Sequence, residues 1–428
     1  MIHVAGTKGK GSTCAFTEAF LRAHGKRTGF PLKTGLYTSP HLLLPEERIR
    51  LNSQPLPQTL LSKYFFEIYD RLPQLSSELD ESKEVVARGP RYLQLWALLA
   101  FHVFIREKVD VAIFETHCGG EYDATNIIQK PLVTAISTLG MDHIDMLGPT
   151  LENIAWHKGG IFKAGATALS APQEPIAAKV LQQRSEAVGS PVTFVSPDES
   201  TIQTLNLRPL IQKTNASLAL AAANAYLSRT TTSDIQLTSS DLSSALATFS
   251  WPGRFQTLPD PTHPDSQWYL DSAHNNMSVT LAAEWFASST TTSQAPRILI
   301  FSHINALRSA SALLSTLATS LKENNTTIDH VIFSTYDDST SMQTSKPQDT
   351  QGESQNPDIL EETWRAFDAK NERKSGIWQE PTIQGAVAKA REIGNGSNGM
   401  QTLITGSQHL VGPALRILGW KPKEPEIS

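Results

Sequence analysis

A glycine-rich segment that carries a lysine and a serine follows the first apolar run of the chain. Ile2–Ala5 is predicted to form a short strand, residues 6–12 read GTKGKGS, and residues 13–23 have helical spacing. Glycines let backbone N–H groups approach phosphates, and a helix N-terminus favours their negative charge. Lys10 can reach terminal phosphates and Ser12 can hold Mg²⁺. The segment is shorter than the strict Walker spacing, yet its order predicts a phosphate-binding loop rather than an ordinary turn.

Polar residues that could hold a divalent cation follow other predicted strands of the first half. Glu115 ends one strand, and Asp142 and His143 follow the next. In an open parallel sheet, ligands bind outside the carboxyl ends of the strands. A strand-end glutamate alone is ordinarily a solvated surface residue, so the prediction depends on the phosphate loop nearby. The candidate metal ligands are Ser12, Ser39, Glu115 and His143.

Lys158 falls on the apolar face of a predicted helix that begins at Leu151. Leu151, Ile154, Ala155 and Lys158 recur at helical spacing. Two interpretations stay open at this point. The lysine either extends its ammonium to water, as lysines on apolar stripes usually do, or serves a metal or phosphates directly.

The second half carries its own set of polar residues after a predicted strand. Asp271 ends the strand 268–271, and His274 follows it closely. Arg254 lies in the segment WPGR at the predicted domain junction, where it could close onto a triphosphate. Each residue taken alone fits an ordinary hinge or surface position equally well.

The elements that must position these residues alternate between strands and helices in both halves. This alternation predicts the α/β class, with parallel sheets covered by helices on both faces. The segment 337–358 contains almost nothing apolar and is expected to be a flexible insertion. Predicted strands are 2–5, 109–115, 133–138, 268–271, 297–302, 330–335 and 402–407, and predicted helices are 13–23, 60–72 and 93–106.

Composition limits the class of protein. Among 428 residues, 37 Lys and Arg face 42 Asp and Glu, which leaves no global basic field for nucleic acid. The two cysteines, Cys14 and Cys118, indicate no disulfide framework and fit a reducing compartment. No apolar run approaches the length that spans a bilayer, and the start lacks a secretory pattern. We therefore expect a cytoplasmic, monomeric protein with small-molecule partners, no nucleic acid and no membrane span; a mitochondrial form from a longer transcript stays open.

Taken in order, the motifs resemble those of the folylpolyglutamate synthase family, relatives of the Mur ligases. Their order and spacing are preserved from residue 2 to about residue 413. The matching segments are VAGTKGKGS (4–12), TSPHL (38–42), ERIRLN (47–52), GGEYDATN (119–126), DH (142–143), LG (147–148), IAWHKGGIFK (154–163), WPGR (251–254), DSAHN (271–275) and TGSQHLVG (405–412).

The resemblance implies a fold and a reaction. Residues 1–250 would be a P-loop-type ATPase domain that binds ATP and Mg²⁺ on a mostly parallel sheet, and residues 251–428 a smaller Rossmann-like α/β domain. ATP would phosphorylate the γ-carboxylate of a (tetrahydro)folate-glutamate, and L-glutamate would attack the acyl phosphate. The implied roles are catalysis for Lys10, Lys158 and His274, ATP binding for Gly9, Lys10, Gly11, Ser12, Arg254 and Asp271, and Mg²⁺ binding for Ser12, Ser39, Glu115 and His143. Lys158 matches a lysine that becomes carbamylated.

The chain departs from the family pattern mainly on the substrate side. His117 and Cys118 stand where small residues are usual, and Asp123 lies in the same stretch. YLQL (92–95) replaces a Tyr-Phe-Arg-Phe-like stretch, Ser309 replaces an acidic residue after Arg308, and five residues precede Gly6 where the family has a helical segment. Two alternatives therefore remain: a paralogue that joins a non-folate acid to an amine, and a nucleotide-binding homologue without activity.

Overall fold

The structure is a computed structural model that describes residues 1–72, 90–197, 207, 209–231, 236–303, 309–335 and 357–421. Its described residues form two compact units, of which the first contains Met1–Ser250 and the second begins at Trp251. Each unit has one sheet, and both sheets are mostly parallel, so the predicted α/β class is confirmed. Within the described ranges, no helix has the length and apolar character needed to cross a bilayer.

The first unit has an eight-stranded sheet. Strand order is β4-β3-β2-β5-β1-β6-β7-β8, with antiparallel pairing at β2–β3 and β3–β4 and parallel pairing elsewhere. Its strands are β1 Ile2–Ala5, β2 Thr34–Tyr37, β3 Ile49–Leu51, β4 Gln54–Pro55, β5 Val111–Glu115, β6 Val133–Ile136, β7 Thr167–Ser170 and β8 Thr193–Phe194. Its helices are α1 Lys10–Thr28, α2 Gln58–Tyr69, α3 Tyr92–Arg106, α4 Ile144–Leu147, α5 Leu151–Gly159, α6 Pro175–Ala187, α7 Leu210–Thr230 and α8 Ser239–Thr248.

Helices cover the centre of this sheet on both faces. Ala112 and Phe114 of β5 pack in one cluster with residues of α2 and α3. Ile113 points to the opposite face because side chains alternate along a strand, and it is fully buried there. Burial on both faces accounts for the continuous apolar run Val111–Phe114 in β5.

The strand order places a topological switch point between β1 and β6. After β1 the chain crosses to β2 on one side, whereas after β6 it continues to β7 on the other side. Crevices at such points, outside the carboxyl ends of the strands, are where open α/β sheets bind ligands. The segment 6–12 leaves β1 at this crevice.

The second unit has a six-stranded sheet with the order β13-β12-β11-β14-β10-β9, parallel except between β10 and β9. Its strands are β9 Gln256–Pro259, β10 Gln267–Leu270, β11 Arg297–Phe301, β12 His330–Ser334, β13 Gly376–Glu380 and β14 Gln401–Thr405. Its helices are α9 Asn276–Thr290, α10 Ala310–Glu323, α11 Pro357–Lys370, α12 Ile383–Asn395 and α13 Gln408–Ile417.

Several element boundaries differ from the sequence predictions. The strand predicted at 109–115 begins at Val111, because Asp110 turns its carboxylate onto the backbone N–H groups of Leu32 and Lys33 at 2.8 Å. The helix predicted at 13–23 extends over Lys10–Thr28 and ends at Gly29, which has a φ of +88°. Residues 337–356 of the expected insertion 337–358 lie outside the described residues. Arg308, named above in the comparison with the family pattern, lies outside them as well. Pro357 and Asp358 open α11, so the predicted insertion was too long at its end.

Asp260 stabilises the antiparallel edge of the second sheet through hydrogen bonds. Its side chain is fully buried and accepts hydrogen bonds from Trp268 Nε1 at 2.7 Å and Arg391 Nε at 2.8 Å. Burial opposes the ionisation of Asp260, but the hydrogen bonds from Thr262, Arg391 and Trp268 together have the larger effect and lower its pKa from 3.8 to about 2. The carboxylate therefore stabilises the fold only while it stays ionised.

We expect Asp260→Asn to lower the free energy of unfolding by about 2 kcal/mol, because a charged acceptor of several buried donors is lost. A folded-state pKa below the unfolded one gives stability that is present above about pH 4 and is lost as the pH falls towards 2. Urea unfolding of wild type and variant between pH 7 and pH 2.5 measures both effects. Asp265→Asn, at an exposed position between the same two strands, is the matched control and should change little. Equal stability of Asp260→Asn and wild type at pH 7 would contradict the assignment.

Candidate active site

Residues 6–9 form a loop that is bonded to the segment after β6, and residues 10–12 are the first residues of α1. The backbone N–H groups of Thr7 and Lys8 both donate to Thr138 O at 3.0 Å, and Thr7 Oγ1 donates to Gly140 O at 3.1 Å. Lys8 Nζ lies 3.6 Å from Asp142 Oδ2. The loop is therefore held at the switch point before α1 begins.

The first turn of α1 presents backbone donors at this loop. Gly9 precedes α1 with a φ of +84°, and Thr13 N–H is the donor that closes the first helical turn, onto Gly9 O at 2.8 Å. The N–H groups of Lys10, Gly11 and Ser12 come before that bond, so they have no carbonyl within the helix. Such a helix N-terminus, with Lys10 in its first turn, suits a phosphate group.

Lys158 is buried and points towards the loop. Its side chain is 2% exposed, and Nζ donates to Gly6 O at 2.7 Å. The interpretation in which the ammonium reaches water is therefore wrong. Burial, followed by the positive charge of Lys10, lowers the pKa of Lys158 from 10.5 to about 7. The apolar face of α5 explains this placement, since Ile154 and Ala155 are also fully buried.

Ser39 and Glu115 meet at the carboxyl ends of β2 and β5. Ser39 N–H donates to Glu115 Oε2 at 3.0 Å, and the Glu115 side chain is buried at the sheet edge. Two of the four candidate metal ligands are thus brought together. Carboxylate and hydroxyl oxygens are the donors that Mg²⁺ and Mn²⁺ favour.

His143 follows β6 at the same edge. It is exposed, has a φ of +51°, and precedes α4, and its N–H donates to Asp142 Oδ1 at 3.0 Å. Among the described residues, no group of three or more His, Cys, Asp or Glu side chains could hold a metal ion. Of the four predicted metal ligands, only Glu115 and His143 are residues of these four types, and the other two are serines. That the four residues bind a metal ion therefore stays a prediction.

The three predicted substrate-side residues form one network. Asp123 Oδ2 accepts the backbone N–H groups of His117 at 2.8 Å and Cys118 at 2.9 Å. Asp123 Oδ1 accepts N–H and Oγ1 of Thr125 at 2.9 and 2.7 Å. Burial opposes ionisation, but the bonds from His117 and Thr125 hold the pKa of Asp123 well below its usual range. Asp123 is therefore a carboxylate that orders the loop after β5.

The predicted residues of the second unit gather at the carboxyl end of β10. Asp271 Oδ2 accepts Phe255 N–H at 2.9 Å, and Ser272 N–H and Oγ donate to Gly253 O at 2.9 and 3.0 Å. The turn that carries Arg254 is thereby bonded to the strand end. His274 Nδ1 lies 3.0 Å from Ser272 O, directly before α9. The structure brings Arg254, Asp271 and His274 into one region of this unit.

Asn215 is a site residue that the sequence did not reveal. It is buried on α7, and a Cβ added at Gly9 would lie 2.1 Å from Asn215 Oδ1. Its Nδ2 donates to Gln212 Oε1 at 3.1 Å. The only local feature that could have indicated Asn215 is its spacing from Gln212. These two amide side chains are three residues apart, on one face of an alanine-rich helix.

Curated proteins of fungi match this chain over most of its length. The folylpolyglutamate synthase of Neurospora crassa is 37% identical over 439 aligned positions, which cover 98% of this chain and 81% of that protein. The chain belongs to the folylpolyglutamate synthase family. The Saccharomyces cerevisiae member, from strain AWRI796, is 38% identical over 78% of this chain and 61% of its own length. No family model matches the chain.

Solved structures of family members share the fold. Folylpolyglutamate synthase of Mycobacterium tuberculosis, complexed with ADP and AMPPCP, superposes with a TM-score of 0.74 at 21% identity and covers 99% of this chain and 91% of that one. The bifunctional folylpolyglutamate synthase/dihydrofolate synthase of Yersinia pestis, complexed with AMPPNP and a Mn ion, gives 0.71 at 23% identity, with coverages of 98% and 88%. The resemblance noted from the motifs is confirmed.

Gly9 and Gly29 at the two ends of α1 make a matched pair for testing the loop. Both have a φ near +85°, but a Cβ at Gly29 would meet nothing within 4 Å. We expect Gly29→Ala to cost about 1 kcal/mol of backbone strain. Gly9→Ala should cost about 1–3 kcal/mol more, because its methyl group collides with Asn215. Urea unfolding measures both, and Asn215→Gly in the Gly9→Ala background should recover part of the difference. Equal costs for the two single variants would contradict the close contact.

Proposed function

We propose that this protein is an ATP-dependent ligase that adds L-glutamate to the γ-carboxylate of a (tetrahydro)folate-glutamate, with Mg²⁺ as its divalent cation. The single observation that carries the proposal is the segment 6–12, in which a loop and the N-terminus of α1 with Lys10 lie at the switch point beside buried Lys158. Membership of the folylpolyglutamate synthase family supports the reaction class. When bound, Mg·ATP supplies the phosphoryl group that activates the acceptor carboxylate.

The residues of the first unit fit Mg·ATP. Backbone N–H groups of Lys10, Gly11 and Ser12 would bind phosphate oxygens, and Gly9 leaves room for the loop because a side chain there would strike Asn215. Ser12, Ser39, Glu115 and His143 would hold the divalent cation. Lys10 would neutralise charge that develops on the transferred phosphoryl group. Positioning and charge neutralisation are expected to supply most of the rate.

Residues of the second unit also have proposed roles. Arg254 and Asp271 would contact ATP, and His274 beside them would be catalytic. Their common location at the end of β10 supports a shared role. His117, Cys118 and Asp123 would lie on the acceptor side, where this chain departs from the family motif.

Lys158 would carry a carbamate. The neutral amine attacks CO₂, a C–N bond forms as one C=O π bond opens, and one proton is released, so the neutral amine becomes an anion that can help to hold the metal ion. A pKa of about 7 supports this reaction, since roughly half of the side chains are neutral at pH 7.

We also propose that the protein acts as a monomer on small-molecule substrates in the cytoplasm. The two free thiols, Cys14 and Cys118, support a reducing compartment. Light scattering after gel filtration tests the oligomeric state, and fractionation tests the compartment. A mitochondrial form would be detected as protein in the mitochondrial fraction.

The proposed reaction is tested with tetrahydrofolate monoglutamate, L-glutamate and Mg·ATP, with products read by mass spectrometry. Addition of one or more glutamates with stoichiometric ADP is the expected result. ATP hydrolysis that responds only to another carboxylic acid would indicate a paralogue with a non-folate substrate. Tight nucleotide binding without turnover on any acid would indicate an inactive homologue, and either result would overturn the folate assignment.

A further inference from the structure

A chain of buried side chains joins the ends of β2 and β5 beyond their last backbone pair. Tyr37, the last residue of β2, pairs with Phe114 in the sheet. Its hydroxyl lies 2.6 Å from His117 Nε2, and His117 Nδ1 lies 3.3 Å from Asp123 Oδ1. None of the three side chains is more than 5% exposed. They therefore form a fixed connection between two segments that leave the sheet side by side.

The partners of Asp123 show that its carboxylate is an acceptor. Three backbone N–H groups and one hydroxyl donate to its two oxygens, so Asp123 acts only as an acceptor. In the tautomer that carries its hydrogen on Nδ1, facing Asp123, His117 accepts from the Tyr37 hydroxyl through Nε2. The contacts then run from Tyr37 to His117 to Asp123.

This connection lies next to two proposed metal ligands. Ser39 follows Tyr37 by two residues, and Glu115 precedes His117 by two. Ser39 N–H also donates to Glu115 Oε2 at 3.0 Å. Two hydrogen bonds therefore link the two segments, one between the proposed ligands Ser39 and Glu115 and one between Tyr37 and His117. Hydrogen-bonded groups behind metal ligands set their orientation and tune affinity for the ion.

We propose that His117 is a positioning residue that, through Tyr37, holds Ser39 and Glu115 in the arrangement that binds the divalent cation. The inference rests on the proposed function, in which those two residues are ligands. It gives a role to His117, which stands where small residues are usual in the family.

Substitutions can remove one bond of the chain at a time. Tyr37→Phe removes the bond to Nε2 alone. His117→Asn places an amide near the Nδ1 position, which keeps Asp123 but cannot reach Tyr37, whereas His117→Gln reaches the Nε2 position and can still accept from Tyr37. Tyr64→Phe is the matched control, because it removes the bond of another buried tyrosine, to Glu107, elsewhere in the same unit.

Mn²⁺ binding to the full chain with AMPPCP, measured by electron paramagnetic resonance, is the readout. We expect Tyr37→Phe and His117→Asn each to weaken Mn²⁺ binding about 10-fold, and the double variant to be no weaker. His117→Gln should restore binding close to wild type, and Tyr64→Phe should leave it unchanged. A purely structural role would lower the unfolding midpoint without this pattern in Mn²⁺ affinity.

Wild-type affinity in Tyr37→Phe would overturn the proposal, as would additive losses in the double variant. Wild-type affinity in Glu115→Gln would show that the ion is held elsewhere, and it would overturn the ligand assignment and the positioning role together. Glutamate addition by wild type is assayed in parallel. Its absence, with the expected Mn²⁺ pattern intact, would reject the proposed reaction while supporting the positioning role.

Discussion

Replacing Lys10 with alanine is expected to reduce glutamate addition about 10³-fold. Lys10 is the cation of the first turn of α1, where backbone N–H groups already favour a phosphate. An ammonium that neutralises charge in the transition state is worth several kcal/mol in a desolvated site, and alanine supplies none of it. The loss should appear mainly in kcat, because the backbone groups that bind ground-state phosphates remain.

The same helix provides the control for this variant. Lys26→Ala removes an exposed lysine from the last turn of α1 and should leave kcat within the error of the assay. Initial rates at saturating tetrahydrofolate monoglutamate, with AMPPCP affinity measured separately, divide the effect into turnover and binding. A Lys10→Ala enzyme with more than a tenth of the wild-type kcat would remove Lys10 from the proposed catalytic set.

The parts of the site that sequence could predict are those made by neighbours along the chain. Strand, glycine-rich loop and helix follow one another within 28 residues, so local periodicity and residue type were enough to predict the loop. The end of β5 at Glu115 was predicted for the same reason. β2, residues Thr34–Tyr37, was missed because a four-residue segment with a glycine has no readable alternation.

The parts that sequence could not predict depend on contacts between distant segments. Asn215 touches the Gly9 position from more than 200 residues away, and no local pattern links them. Tyr37 and His117 are 80 residues apart, and their bond exists because β2 and β5 are adjacent strands. Helical spacing placed Lys158 on an inward face but could not say what lies opposite, which is Gly6 O.

Replacing Lys158 with glutamine should lower activity about 10²–10³-fold, because the buried amine that bonds to the phosphate loop is removed and the proposed carbamate can no longer form. The pH dependence follows from the lowered pKa. CO₂ reacts with the neutral amine, which predominates above a pKa of about 7 and disappears as the pH falls below it. Activity of CO₂-depleted enzyme should therefore recover with bicarbonate at pH 8 and recover poorly at pH 6.

The proposed carbamate can be tested for directly by NMR. Wild type equilibrated with ¹³C-bicarbonate at pH 8 should show a carbamate carbon signal by NMR, and Lys158→Gln should lack it. Lys179→Gln, which removes an exposed lysine from neighbouring α6, should keep both the signal and the activity. If the wild type shows no signal and no response to bicarbonate while Lys158→Gln is still inactive, the free amine acts directly. Lys158 would then serve as a buried, largely neutral hydrogen-bond donor to the loop, and the metal site would have to be completed by side chains alone.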